Sequence, residues 1–261
     1  METMRYRETK KSSKAVVFFI LLFLVLGGAV IYYAINSETE PVVIGQVKTE
    51  VQSLKEVDSI SVNTGELENL KYEVKDKKIT DLANQKFKGT LVLPVITIDG
   101  EKLEELNNTI EKSYVEMFNS LKNTSGAMDN NYSYEVSYKA YDSIIDNIKV
   151  LSVTIHDKTI DVQSKKSIRD RITTYNIDMT TKNTLKQSDL IVDILGSECK
   201  SKIKDKVKDY FVSNKYIKSE NYTYTYTGLE NFYVKDNKFH IVFNEGDVVD
   251  KKYGIMDITI E

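Results

Sequence analysis

Apolar and polar residues alternate in several short stretches of the chain. This pattern predicts β-strands, because neighbouring side chains of a strand point to opposite faces. It is clearest at Leu151, Val153 and Ile155, which share one face of a predicted strand. Pro94 indicates that its strand ends there or lies at a sheet edge, since proline cannot donate a backbone hydrogen bond. The predicted strands cover residues 86–98, 132–138, 147–155, 167–178, 231–243 (two strands around a turn at 235–238) and 255–260.

Two further stretches have the spacing of amphipathic helices. The first begins at Asp99, whose side chain can cap a helix N-terminus, and we expect a loop at residues 123–131 after it. Its apolar face contains Leu103, Leu106, Ile110, Tyr114, Met117 and Leu121. The second helix has an apolar residue at every fourth position, namely Leu195, Cys199, Ile203, Val207 and Phe211.

These elements predict an α+β fold in which amphipathic helices pack on an antiparallel sheet. Parallel strand–helix–strand units are disfavoured, because the strands come in consecutive runs. Cys199 lies in the apolar stripe of its helix, so we interpret it as a small core residue and not as a reactive thiol.

The predicted fold is preceded by one transmembrane helix. Residues 15–34 contain no charged side chain, and twenty helical residues span about 30 Å, the thickness of a bilayer's hydrocarbon core. We therefore place a transmembrane helix at residues 15–35. Residues 1–14 have a net charge of +3, which predicts a cytoplasmic N-terminus with the bulk of the protein extracellular. The alternative is a signal peptide cleaved after Ala29, where small residues precede the bond.

Candidate catalytic chemistry is sparse in this sequence. The chain has one cysteine and two histidines, His156 and His240, and none has a second metal ligand at the usual spacing. We interpret both histidines as structural or solvent-facing, and we predict no metal, no cofactor and no catalytic residue. The 247 residues that follow residue 14 have a net charge of −6, which would repel the phosphates of a nucleic acid.

A polar stretch at residues 173–191 contains two aspartates that could be mistaken for an acid–base pair. Tyr175, Ile177 and Met179 alternate as in a strand, and residues 180–184 have the composition of a turn. We therefore predict that Asp178 and Asp189 bond the local backbone as turn and cap groups.

Three tyrosines alternate with threonines near the C-terminal hairpin. Tyr222, Tyr224 and Tyr226 would project to one side of an extended segment. Such a row packs on a helix or on aromatic neighbours, or it forms a contact surface for a protein or a glycan. The second interpretation makes these three tyrosines candidate ligand-binding residues.

The order of motifs from residue 70 onward resembles a family of bacterial extracytoplasmic domains. Residues 175–190 read Tyr-Asn-Ile-Asp-Met-Thr-Thr-Lys-Asn-Thr-Leu-Lys-Gln-Ser-Asp-Leu. This is similar to the Tyr-x-Ile-Asp-x-x-Thr-Gly-Lys-x-Leu-x-Leu-x-Asp-Leu motif of the RsiV-like extracytoplasmic domain. Residues 87–98, followed by 106–110, resemble the companion domain that precedes it and that also occurs in PdaC-type peptidoglycan deacetylases.

The resemblance implies a ligand and one contact residue. RsiV-type anti-sigma factors have one membrane span and an outward domain that binds lysozyme, and the loop before the last strand belongs to the binding surface. This chain retains Tyr253 and Gly254 in that loop but lacks the usual proline, so Tyr253 alone joins the candidate ligand-binding residues. Fourteen cytosolic residues are too few to hold a sigma factor, so that partner is not expected, and no deacetylase domain follows.

The sequence therefore predicts a membrane-anchored, non-catalytic binding or sensing module at the bacterial cell envelope. Its expected ligand is a lysozyme-like protein or peptidoglycan. The alternatives are an envelope hydrolase and an accessory subunit of another membrane protein. The predicted parts are a cytoplasmic tail (1–14), the transmembrane helix (15–35), a stalk with one or two weak strands (36–69), the companion domain (70–146) and the RsiV-like domain (147–261).

Overall fold

The computed structural model describes residues 55–56, 62–82, 85–127, 131–218 and 224–260. The predicted tail, the predicted transmembrane helix and the alternative cleavage site at Ala29 lie outside the described residues. Among the residues that are described, no helix is both long and apolar enough to cross a membrane.

Eight strands in the described ranges form one large sheet. They are β1 (Lys55–Glu56), β2 (Val62–Leu67), β3 (Leu70–Asp81), β4 (Phe87–Ile98), β5 (Glu101–Lys102), β6 (Tyr132–Ile145), β7 (Ile148–Asp161) and β8 (Lys166–Asp178). Strands β1 and β2 both pair with β3, which is followed across the sheet by β4, β6, β7 and β8, while β5 pairs with β4. Residues 150–155 of β7 are buried on both faces, so this strand lies between two layers.

The prediction of a purely antiparallel sheet was wrong at one pair of strands, although the α+β class is confirmed. Strands β4 and β6 pair in parallel, with Phe87 opposite Tyr132. Helix α1 (Glu104–Ala127) connects them, and its 24 residues span about 36 Å, close to the roughly 40 Å of the 12-residue β4. The helix therefore returns the chain to the end where β4 began, which a parallel neighbour requires.

Asp99 and Gly100 form the turn between β4 and β5, whereas the sequence had predicted a helix start. Their φ angles of +49° and +76° are those of a two-residue hairpin turn, in which both central residues are left-handed. Asp99 Oδ1 accepts a hydrogen bond of 2.9 Å from the backbone N–H of Lys71, so the carboxylate supports a neighbouring strand and not a helix. The helix begins later, at Glu104, and residues 123–127, predicted as loop, belong to it.

Helix α1 packs on the sheet along a face that matches the predicted stripe only in part. Leu103, Ile110 and Tyr114 of that stripe are buried, as predicted. Leu106, Met117 and Leu121 are only partly buried, whereas Asn107 and Phe118 are buried. The Phe118 ring meets Phe87 edge-on with ring centroids 5.0 Å apart. It also covers Gly89, where a Cβ atom would approach that ring to 2.3 Å. The packing of the large Phe118 ring over Gly89 therefore sets the orientation of α1 on the sheet.

The side chain of Asn107 also attaches α1 to the sheet, because it exchanges two hydrogen bonds with the backbone of Ile96, at 2.9 and 3.0 Å.

A smaller layer covers the other face of β6, β7 and β8. It contains β9 (Asn231–Lys235), β10 (Lys238–Phe243) and β11 (Met256–Ile260) in one antiparallel sheet, with α2 (Gln187–Leu195) and α3 (Cys199–Ser213). The predicted apolar stripe from Leu195 to Phe211 is buried throughout, as expected, but it is divided between two helices because Leu195 is the last residue of α2. Gly196, with a φ angle of +78°, separates the two helices. The predicted hairpin turn is also confirmed, since Asp236 and Asn237 both have positive φ angles.

The predicted domain boundary between residues 146 and 147 falls in the turn from β6 to β7. All residues of β6 from Tyr132 to Ile145 pair with β7 across this turn, so one sheet contains residues from both sides of the boundary. Two hydrophobic clusters lie on opposite faces of that sheet. The division into a companion domain and an RsiV-like domain stays a prediction.

Candidate ligand-binding surface

Tyr253 lies in a short 3₁₀ turn, Lys251–Tyr253, between β10 and β11, and its ring packs against Tyr216. The two ring centroids are 4.5 Å apart and the ring planes differ by 33°. Lys252 Nζ lies 4.9 Å from the centre of the Tyr253 ring, which is a cation–π distance. Both rings are partly exposed. We call Tyr216, Lys252 and Tyr253 the tyrosine surface.

The end of α3 determines the position of Tyr216. Lys215 has a left-handed φ angle of +59°, which stops the helix and reverses the chain. The N–H of Tyr216 then bonds the carbonyl of Phe211 at 2.9 Å, and the N–H of Lys215 bonds Val212 at 3.0 Å. These two bonds form a Schellman C-cap, which folds the residue after the helix back over its last turn. Tyr216 is thus held by backbone hydrogen bonds.

The turn that contains Tyr253 is held in a similar way. The Asp250 side chain accepts a hydrogen bond of 3.0 Å from the N–H of Lys252. Lys251 Nζ bonds the carbonyl of Ile168 and a carboxylate oxygen of Glu245, both at 2.9 Å, so the turn is attached to the edge of β8. Gly254 closes the turn with φ +71° and ψ −156°, a conformation that only glycine adopts without strain. Both rings of the tyrosine surface therefore rest on fixed backbone.

Of the other three candidate tyrosines, two are described, and they lie in a segment that is not a strand. Tyr222 is outside the described residues. Tyr224 and Tyr226 are less exposed than the residues between and after them, as in the first of the two interpretations, although residues 224–230 form an irregular segment. The Tyr224 hydroxyl donates to Glu230 at 2.8 Å, and its ring meets Phe243 edge-on. The Tyr226 hydroxyl bonds the side-chain oxygen of Gln187, and burial raises the pKa of this hydroxyl. Their use in ligand binding stays a prediction.

Each histidine contacts a carboxylate, as expected for structural residues. His156 Nε2 lies 2.5 Å from Asp170 Oδ1, and His240 Nδ1 lies 3.2 Å from Asp257 Oδ1. Asp257 also accepts a hydrogen bond of 2.5 Å from Tyr233, whose ring stacks on His240. Burial of the Asp257 carboxylate opposes its ionisation, but the hydrogen bonds from His240 and Tyr233 outweigh burial and lower its pKa.

The remaining polar candidates have local roles. Asp178 accepts bonds from the Thr180 N–H and the Thr181 hydroxyl, at 2.8 and 2.9 Å. Asp189 accepts the N–H of Lys186 at 2.7 Å. Both aspartates are thus turn and cap groups, as predicted. Cys199 is buried in the second hydrophobic cluster. In the part of the chain that the structure describes, no group of three histidine, cysteine or acidic residues is placed to hold a metal ion.

A buried ion pair beneath α1 was not predicted from the sequence. The Asp157 carboxylate is fully buried, and the Arg169 guanidinium on the neighbouring strand bonds both of its oxygens. The hydroxyl of Tyr134 is buried nearby, and burial, with a smaller contribution from Asp157, raises its pKa. One signal for this pair was available. Asp157 continues the inward-facing series of Leu151, Val153 and Ile155, and a buried carboxylate needs a partner.

An open groove of about 830 Å³ lies between the start of α1 and the end of β8. The turn after β8 and the ring of Phe232 form part of its wall. Its rim contains two ion pairs, Lys102 with Glu104 and Lys182 with Glu101. The volume is in the range of small-molecule sites.

Comparison with known proteins identifies the fold only. No family of known sequences matches the chain, and no curated protein resembles it in sequence. The structure is similar to a DUF3298 family protein from Pseudomonas aeruginosa PAO1, with a TM-score of 0.50 and 10% sequence identity over 72% of this chain and 89% of that chain. A member of the DUF3298 family from Bacteroides fragilis gives a TM-score of 0.41 and 12% identity over 79% and 92% of the two chains. The first similarity shows that the fold is DUF3298-like.

Proposed function

We propose that this chain is a membrane-anchored, non-catalytic binding module of the bacterial cell envelope, with a lysozyme-like protein or peptidoglycan as its ligand. The tyrosine surface is the observation behind the proposal. It presents two partly exposed rings, and one of them, Tyr253, lies in the loop where the resemblance to the RsiV-like domain expects a contact residue. Tyrosine suits such a surface because it offers a large contact area with few rotatable bonds.

Pre-organisation also favours a binding role. Residues Tyr216 and Tyr253 come from different elements, and each is held by backbone hydrogen bonds that do not involve a ligand. A surface that is already ordered loses little conformational entropy when a ligand binds. The exposed parts of the two rings would contact sugar rings or apolar side chains of a protein.

The alternative of an envelope hydrolase is favoured by one arrangement, that of Tyr233, His240 and Asp257. A carboxylate that orients an imidazole is a common element of acid–base catalysis. The third possibility, an accessory subunit of another membrane protein, would also use the tyrosine surface. These alternatives differ in what the purified protein does to peptidoglycan.

The test uses full-length protein immobilised on beads and offered either lysozyme or insoluble peptidoglycan. We expect at least one to be retained at low ionic strength. We expect Tyr253→Ala to weaken retention by about fivefold or more, since truncating a central aromatic residue of an interface costs over ~1 kcal/mol. Tyr253→Phe keeps the ring and serves as the matched control, so it should bind nearly as well as the native protein.

Two results would contradict the proposal. If neither ligand is retained, the binding module has no envelope ligand of the proposed class. If the protein instead releases soluble fragments from labelled peptidoglycan, and His240→Gln abolishes the release, the hydrolase alternative is correct.

A further inference from the structure

The segment 199–218, which includes α3, has a charge opposite to that of the surrounding chain. Seven lysines and two aspartates give it a net charge of +5, whereas the rest of residues 15–261 has a net charge of −11. One residue of this segment, Tyr216, belongs to the tyrosine surface, so the positive segment and the tyrosine surface are continuous along the chain. A positive region of this kind attracts anions, even on a protein that is negative overall.

Three of the lysines form a row along one flank of α3. Lys200, Lys204 and Lys208 are spaced four residues apart, so their side chains lie one above another with a rise of about 6 Å between neighbours. Lys200 and Lys204 are exposed and Lys208 is partly exposed. The apolar residues of the helix face the protein core instead, so the row is presented to solvent.

The stability of the helix does not explain this arrangement. Like charges four residues apart repel each other on a helix surface, and the row contains two such pairs. Asp205 lies three residues before Lys208, so its attraction offsets only part of this repulsion. The helix dipole favours acidic side chains in the first turn and basic ones in the last turn. Helix α3 has no acidic residue in its first turn and no basic residue in its last turn, and the side chain of its N-cap, Glu198, makes no capping hydrogen bond. A local arrangement that opposes stability is expected at functional sites.

We infer that the lysine row and the tyrosine surface together bind a linear anionic polymer of the cell envelope, an inference that rests on the proposed binding function and narrows its ligand. A lysine ammonium group is a point charge without strict geometry, which suits the repeating phosphate or carboxylate groups of a flexible chain. Tyr216 follows the C-terminal end of α3, beyond Lys208, and the exposed parts of its ring and of the Tyr253 ring would contact sugar units. A positively charged protein would be repelled by the same face.

An anionic bilayer is a weaker match for this helix. Helices that bind at a membrane surface insert an apolar face among the lipids. The apolar face of α3, which contains Cys199, Ile203, Val207 and Phe211, is buried in the protein core. Because α3 exposes a row of charges and no apolar face, we favour a polymer over a bilayer as the ligand of the lysine row.

The test measures binding of full-length protein to labelled linear polyphosphate and labelled poly-glutamate at several salt concentrations. We expect K200Q/K204Q/K208Q to weaken binding of the preferred polymer by about tenfold or more at low salt. The variant should also flatten the slope of log affinity against log salt concentration by about 2, at roughly 0.7 for each lost contact with a single-stranded polyanion. The control K88Q/K112Q/K139Q removes the same charge from exposed lysines on β4, α1 and β6, and it should leave both quantities nearly unchanged.

The outcomes separate this inference from the proposed function. If the protein binds polyphosphate more tightly than poly-glutamate, we infer that the natural polymer carries phosphate groups. If it binds poly-glutamate more tightly, we infer that the natural polymer carries carboxylates. Equal losses in both triple variants would overturn the inference, because only net charge would then matter. Lysine-dependent binding to phosphatidylglycerol vesicles that is tighter than to either polymer would also overturn it. If K200Q/K204Q/K208Q still retains lysozyme or peptidoglycan and neither polymer binds the native protein, the inference fails while the proposed function stands.

Discussion

Ser152 donates a hydrogen bond of 2.6 Å to the side-chain oxygen of Asn176, and this buried pair joins the two sheets. Ser152 Oγ also accepts the N–H of Val234 at 3.0 Å, and Asn176 Nδ2 donates to the carbonyl of Phe232 at 2.8 Å. Strand β9 is at the edge of the small sheet, and it lies against the face of the large sheet. No strand of the large sheet can therefore pair with the outer edge of β9. Polar side chains of β7 and β8 satisfy its backbone instead.

We expect Asn176→Ala to destabilise the protein by about 2 kcal/mol. The change leaves buried backbone and hydroxyl groups without partners, and each unsatisfied group costs roughly 1–3 kcal/mol. The measurement is the midpoint of urea unfolding. Asn183→Ala, in an exposed turn, is the matched control and should change the midpoint little. Equal shifts in the two variants would mean that the Ser152–Asn176 pair is not important for joining the sheets.

A second prediction concerns the ion pair beneath α1. Arg169→Met should lower the free energy of unfolding by roughly 2–4 kcal/mol, because it leaves the fully buried Asp157 carboxylate without its partner. The lower end of this energy range allows for screening of the ion pair by solvent, because the Arg169 side chain is 34% exposed. Arg171→Met on the same strand removes an exposed guanidinium, and it should cost less than ~0.5 kcal/mol. A small effect of Arg169→Met would show that the carboxylate finds another partner.

The third prediction is a dependence of stability on pH. The folded pKa of Asp257 is below its unfolded value of about 3.9. Ionised Asp257 therefore contributes stability above that value, and the contribution is lost as the pH falls through the folded pKa. We expect Asp257→Asn to be less stable than the native protein at pH 7 and the difference to shrink below about pH 4. Urea midpoints at several pH values test this. Asp236→Asn, in the nearby exposed turn, should show no such convergence.

The fourth prediction concerns Gly254. An alanine Cβ at this position would meet no neighbouring atom within 4 Å, so any effect of Gly254→Ala must come from the backbone conformation. We expect a loss of about 1–3 kcal/mol and weaker ligand retention, because the turn that holds Tyr253 would be strained. Gly100→Asn is the control, since Gly100 also has a positive φ angle but lies in a hairpin turn that tolerates asparagine. If Gly254→Ala and Gly100→Asn lower the free energy of unfolding by equally small amounts, the conformation of Gly254 is not needed to form the turn.

The strands and the stripe of α3 could be predicted because they depend on the period of apolar residues. Asp99 shows where this reasoning failed. Aspartate is common both at the start of a helix and before glycine in a hairpin turn, and the local sequence does not distinguish the two. The choice between them depended on Lys71, whose backbone N–H meets the Asp99 carboxylate in the folded sheet. The parallel pairing of β4 and β6 could not be predicted from the apolar pattern, because it depends on the length of α1 relative to that of β4.

Only part of the candidate site could be found from the sequence. Tyr253 was named through a family resemblance, while its partner Tyr216 belongs to another element and has no periodic signal. The tyrosines at 222–226 have a strong alternating pattern, but the two that are described bond Glu230 and Gln187 within the protein. Alternation indicates which side chains share a side, and it does not say whether that side meets solvent.

By itself, the sequence determined the α+β class, most strands, the buried stripe of α3 and the roles of Asp178 and Asp189. These features arise from interactions within a few residues, which leave a regular pattern in the chain. Tertiary structure alone decided the parallel pair in the sheet, the orientation of α1 over Gly89 and the partners of Asn176, Asp157 and Tyr253. Each of these depends on contacts between segments that are distant in sequence. Local patterns cannot specify such contacts, because the same polar or aromatic residue is compatible with several partners until the chain is folded.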